Sequence, residues 1–127
     1  MSPLGLLYLL AALLALALGI AHSFLGEKYI LIRLFRRDDL PKLFGGTEFT
    51  VRTLRFAWHL TSVAWWAAAA LFFLLAQGPL SSATVSGVLA AMFLVSGGVT
   101  LIASRGRHLA WLAFLAIGFI ALYGAQA

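Results

Sequence analysis

The chain has 127 residues, of which 63% are hydrophobic and only 10% charged, a balance that no soluble domain of this length can hide in one core, so the chain needs lipid around it. It has no cysteine, which excludes disulfides, thiol nucleophiles, iron–sulfur clusters and thiolate-held zinc and leaves histidine and oxygen as the donors of any metal site. The net charge of +5 does not point to nucleic acid, because in so apolar a chain the position of the basic residues matters more than their sum.

The first apolar run covers residues 3–25, enough for a helix that crosses roughly 30 Å of hydrocarbon. A cleaved signal peptide is the rival reading, with Gly19-Ile20-Ala21 supplying small residues before a cut. No positive side chain precedes the run and a basic cluster follows it, which favours a retained helix with its amino end outside. The segment from Glu27 to Arg37 mixes apolar pairs at i, i+4 with arginine. It reads either as an amphipathic helix in the headgroup layer or as an extension of the first span. Asp38-Asp39-Leu40-Pro41 ends it, since proline disfavours helix in the residue before it and cannot continue the hydrogen-bond ladder.

Gly45-Gly46-Thr47 then turns the chain, and Thr47 with Glu48 is placed to cap the helix that becomes the second span, 56–76. An uncharged connection, Gln77-Gly78-Pro79-Leu80-Ser81-Ser82, leads to the third span, 84–103, and the short Ser104-Arg105-Gly106-Arg107 link to the fourth, 109–125. No internal repeat stands out. The fold class is therefore all-α: an integral membrane four-helix bundle of antiparallel, up-down topology in a single domain, 1–127.

All nine basic residues fall in two connections: Lys28, Arg33, Arg36, Arg37, Lys42, Arg52 and Arg55 between the first two spans, and Arg105 and Arg107 between the last two. The positive-inside rule makes these loops cytoplasmic and puts both termini outside, in the plasma (inner) membrane. Trp58 and Trp111 near the basic ends, and Tyr8 and Tyr123 near the opposite ends, suit interfacial belts.

Three histidines, His22, His59 and His108, each lie near the cytoplasmic end of a span. His22 and His59 are each four residues from the basic boundary marked by Gly26 and Arg55, roughly 6 Å inside it at 1.5 Å per residue. Depth follows from this count, but direction does not. On the first span Ala12, Ala15, Gly19, His22 and Gly26 share a face of small residues that lets membrane helices approach. On the second, Arg52, Arg55, His59, Ser62 and Trp66 recur at spacings of three and four, a polar face that lipid penalises. The third offers Gly87, Ala90, Ala91, Gly97 and Gly98, with Ser96 and Thr100 for bonds between helices.

These patterns raise three functional expectations. The first is a histidine-lined site: haem b held axially by His22 and His59 with Arg52 and Arg55 near its propionates, or a divalent metal held by His22, His59 and His108 with Glu27. No Cys-x-x-Cys-His or His-x-x-x-His motif makes either specific, and hydrogen-bonded packing histidines explain the same positions. The second is a non-catalytic accessory or assembly subunit of a larger membrane complex, or a homo-oligomer, that binds anionic headgroups through its basic loop. The third is a small dimeric transporter, which the absence of an acidic residue within any span disfavours. A hydrolase or transferase reading finds Ser23 or Ser62 near histidine, but no nucleophile elbow and no supporting carboxylate pattern.

Overall fold

A computed structural model describes all 127 residues. It is all-α, with four helices: α1 (Pro3–Leu34), α2 (Glu48–Gln77), α3 (Ser82–Ser104) and α4 (Ala110–Gln126). The first three are long and apolar enough to cross a membrane; α4 is equally apolar but has 17 residues. Consecutive helices pack along one another, α1 on α2, α2 on α3 and α3 on α4.

The interior is small-residue packing. Of 15 buried residues only Leu31 and Phe56 are large and apolar; the rest are glycine, alanine, serine or threonine. In water such a core would bury too little apolar surface, whereas in lipid close backbone approach takes over. The large apolar side chains, among them Leu7, Leu13, Phe24, Ile102 and Phe119, point outward.

On α1 the buried positions are Gly5, Ala12, Gly19 and Gly26, a seven-residue interval that keeps one face on a partner wound around it. Gly5 lies against Ala76, Gly19 against Trp66 and Gly26 against Trp58, so residue number falls along α2 as it rises along α1. Two indoles fill the glycine notches. Trp66 Nε1–H donates to the Leu16 carbonyl at 3.2 Å and Trp58 Nε1–H to the His22 carbonyl at 3.0 Å, each acceptor about one turn before the glycine its indole covers. Trp58 is thus a packing residue of this interface.

Helix α1 does not stop at Gly26 to start a separate helix. It runs on to Leu34 through a single π turn over Glu27–Leu31, in which Ile32 N–H bonds Glu27 O. The wider turn inserts one residue into the register. Tyr29 and Ile30, three and four places after Gly26, are consequently exposed, and Leu31 takes the buried seam. Beyond it, Arg37 clasps Asp39 with two hydrogen bonds, 2.8 and 2.6 Å, and holds that exposed carboxyl below the usual carboxylate range. Leu43 and Gly46 exchange backbone bonds around Phe44 and Gly45, both at positive φ, 56° and 87°. Thr50 Oγ1–H ties this loop to α2 through the Pro41 carbonyl at 2.8 Å. Thr47 precedes α2 as expected, but its side chain makes no capping bond.

The α3–α4 pair is built on reciprocal notches. The Leu115 side chain lies over Gly97 and the Leu94 side chain over Gly118, and Ser86 Oγ–H donates to the Ala121 carbonyl at 2.7 Å. The side-chain bond from α3 to α4 thus comes from Ser86, while Thr100 Oγ1 is buried without a partner. A Cβ on Gly118 would stand 2.6 Å from Leu94 Cδ2 and 3.0 Å from its backbone nitrogen, whereas one on Gly98 would meet nothing within 4 Å. Gly118→Val is therefore expected to lower stability by about 2 kcal/mol. Gly98→Ala should be close to neutral, and thermal unfolding in detergent compares the two.

Both basic connections gather at one end of the molecule. Arg52 Nη1–H donates to the Ala103 carbonyl at 2.9 Å, Arg105 comes within 4.0 Å of Glu48, and the Phe49 and His108 rings stack 5.7 Å apart.

Candidate functional site

Two i, i+4 pairs face each other across the α1–α2 interface near this basic end. Ser23 and Glu27 share a face of α1, and Arg55 and His59 share a face of α2, with Ser62 one turn further. His59 joins them: its Nδ1 lies 2.9 Å from Ser23 Oγ and its Nε2 lies 3.0 Å from Glu27 Oε2. Glu27 Oε1 also pairs with Arg55 Nη2 at 2.9 Å, and Ser23 Oγ lies 2.6 Å from Ser62 Oγ. The result is a continuous chain, Arg55–Glu27–His59–Ser23–Ser62.

Proton placement follows from what each atom can do. The Glu27 carboxylate, paired with a guanidinium, only accepts, so His59 Nε2 carries hydrogen. In the neutral imidazole Nδ1 then accepts the Ser23 hydroxyl proton, and Ser62 donates to Ser23 Oγ. Every member is linked to the next, and of their side-chain atoms Arg55 Nε alone is buried without a hydrogen-bond partner. Ser62 is fully buried, while the side chains of Glu27 and His59 are each 32% exposed, so the far end of the chain is sealed and the middle is reachable. Arg55 stacks on Phe35 with its guanidinium carbon 4.9 Å from the ring centre, which fixes the charge that Glu27 faces.

Two hollows flank His59. One, about 540 Å³, opens along the side of the α1–α2 pair and is lined by Ile20, Ser23, Phe24, Glu27, Lys28 and His59 among others. The other, about 490 Å³, lies between α2 and α3 beside Arg52, Arg55, Phe56 and Val99.

The remaining predicted site residues go elsewhere. His22 stacks flat on Trp58, with centroids 4.4 Å apart and 3° between planes, meets Trp65 edge-on, and donates from Nε2 to the Trp58 carbonyl at 3.2 Å. With Trp58 donating back to the His22 carbonyl, the two residues lock the helices together. His108 packs against Phe49 and Phe56, and its Nδ1 accepts the Ala110 N–H as α4 begins. Arg52 pairs with Glu48, not with any histidine.

Neither cofactor expected from the sequence fits this geometry. The small residues around His22 do not leave space for a porphyrin, because indoles fill it: a Cβ on Gly26 would stand 2.1 Å from Trp58 Nε1 and one on Gly19 2.3 Å from Trp66 Nε1. Of the proposed metal donors His22, His59, His108 and Glu27, only His59 and Glu27 meet, and no group of three histidine or carboxylate side chains stands close enough to hold an ion. Sequence reasoning missed that Ser23 and Glu27 belong to one site; their i, i+4 spacing was the available signal, obscured by ending the first span at residue 25. The chain matches no protein-family model, no curated protein and no solved structure, so the chemistry of this cluster rests on its own geometry.

Proposed function

We propose that this chain is a small four-span protein of the plasma (inner) membrane, an antiparallel up-down bundle with both termini outside and its basic loops in the cytoplasm. Its working part is a histidine acid–base site at the inner end of the first hairpin. The placement is supported by the gathering of both basic connections at one end and by the apolar outer faces of the helices. Helix α4, with 17 residues, spans about 26 Å and crosses with little tilt.

One observation carries the site reading: His59 links a carboxylate on one ring nitrogen to a hydroxyl on the other, at 3.0 and 2.9 Å. An imidazole held in one tautomer by a carboxylate can take the hydroxyl proton and return it, which is general acid–base chemistry. The geometry favours this over haem or metal binding. A colourless, metal-free preparation in mild detergent is accordingly the expected result of an absorption spectrum and elemental analysis.

Nitrogen-15 NMR of histidine-labelled protein in lipid nanodiscs tests the reading. His59 should show a protonated Nε2 and an unprotonated Nδ1, and Glu27→Gln should disturb that signal alone among the three histidines. A protonated Nδ1 in the neutral ring, or a His59 signal indifferent to Glu27→Gln, would sink it. The second reading is an accessory subunit that binds anionic headgroups through its basic end and packs against a larger complex or another copy. The cluster of Arg52, Arg105 and Arg107 beside Glu48 and Ser104 favours it, and co-purification of a stoichiometric partner would support it. Nothing adds weight to a small transporter, since no acidic side chain lies deeper in the helices than Glu27.

A further inference from the structure

We infer that Ser23 is a nucleophile for acyl transfer from a carboxylic ester of a phosphate-bearing membrane lipid, with His59 as its base and Glu27 as the residue that orients His59. This rests on the acid–base reading of the site and names its substrate class.

The three roles have the geometry they need: nucleophile to base 2.9 Å, base to carboxylate 3.0 Å. Ser23 is chosen over Ser62 because Ser62 is fully buried and bonds Ser23 rather than the imidazole, whereas Ser23 lines the lateral hollow together with His59 and Glu27. The lining of that hollow suits a lipid. Ile20, Phe24 and Trp66 give it an apolar wall suited to an acyl chain. Lys28, whose ammonium lies over the Phe24 and Tyr29 rings, stands at its basic rim. Lys28 follows Ser23 by five residues, about 7.5 Å along the axis. A phosphate at Lys28 therefore leaves the ester carbonyls, which lie below the phosphate in a glycerolipid, near Ser23.

In the reaction Ser23 Oγ attacks the ester carbonyl carbon while its proton passes to His59 Nδ1. The tetrahedral intermediate collapses, the carbon–oxygen bond to the lipid alcohol breaks, and His59 returns the proton to the departing alkoxide. Water or a second alcohol then attacks the acyl-serine, with His59 moving the proton in the same way. The Ser62 hydroxyl, 2.6 Å from Ser23 Oγ, holds that oxygen in place for the attack.

The test uses the full chain in nanodiscs with an alkyl fluorophosphonate, which a serine nucleophile attacks at phosphorus with loss of fluoride. Labelling located at Ser23 by peptide mass spectrometry is expected, along with lysophospholipid release from phosphatidylglycerol vesicles. Ser23→Ala should abolish both. His59→Asn, which keeps a polar group beside Ser23 but no base, should slow labelling at least about a hundredfold, with the near-ultraviolet circular dichroism of Trp58 and Trp66 reporting that the hairpin is intact. Ser86→Ala, on the far hairpin, should label as the parent does. An unlabelled parent, or labelling that persists in Ser23→Ala or at full rate in a folded His59→Asn, overturns the inference. An unlabelled parent that still shows the Glu27-dependent His59 tautomer would reject acyl transfer while the acid–base reading stands; loss of that tautomer rejects both.

Discussion

Replacing Gly26 by alanine is expected to lower stability by about 3 kcal/mol, near the upper end of overpacking costs. The added Cβ would stand 2.1 Å from Trp58 Nε1, 2.5 Å from Cε2 and 2.7 Å from Cζ2. These atoms belong to a rigid indole, so the neighbour cannot yield by turning a flexible chain end. Trp58 is held at both faces of the contact, by its bond to the His22 carbonyl at 3.0 Å and by its stack on the His22 ring. Moving the indole forfeits that hydrogen bond, worth roughly 1 kcal/mol, or pushes α1 away from α2. Either response also pulls Glu27, the next residue, away from His59. Unfolding in detergent, followed by tryptophan fluorescence, measures the loss. Trp58→Leu in the same chain should recover part of it, because the two substitutions share one contact. Tolerance of Gly26→Ala alone to within a few tenths of a kcal/mol would show that the indole yields and the notch is loose.

Glu27→Ala is the second substitution with a large expected effect. It removes the common partner of Arg55 and His59 and leaves a guanidinium facing an imidazole N–H. Breaking a fully buried pair costs about 3–5 kcal/mol. Here the Arg55 and Glu27 side chains are 43% and 32% exposed, so water screens the loss and about 1–2 kcal/mol is expected. Glu27→Gln should cost less, since it keeps an acceptor for one neighbour. A double-mutant cycle with Arg55→Ala isolates the pair, and a coupling of about 1 kcal/mol is expected. Zero coupling would mean that Arg55 merely extends toward phosphate as a topology residue.

The α1 seam is legible in the amino-acid pattern alone. Small residues at Ala12, Gly19 and Gly26 mark a packing face because in lipid a helix gains nothing by burying leucine against leucine; it gains by bringing backbones close. The same logic exposes the polar stripe of α2, on which Arg55, His59 and Ser62 do face protein. Two points were beyond the pattern for a shared reason. Of the two readings of the segment after Gly26, the extension of the first span is the one the structure adopts, and Thr47 makes no side-chain cap, because single-residue preferences give no account of how a helix end is held by its neighbours. Continuation of α1 through a π turn depends on Leu31 finding a buried seat and on Glu27 finding Arg55 and His59.

Composition, charge position and periodicity by themselves determined an all-helical chain suited to lipid, its polar chemistry at one end, and the small-residue face along which α1 packs. These are one-dimensional properties, set by what each residue costs in hydrocarbon and how often it recurs around a helix. Only the tertiary structure decided which histidine has a chemical neighbour. His22, His59 and His108 have similar depth in the sequence, yet the direction of a side chain depends on helix rotation and on the partner's shape. Indoles in two glycine notches fix that rotation, giving His22 to Trp58, His108 to phenylalanines, and His59 to Ser23 and Glu27.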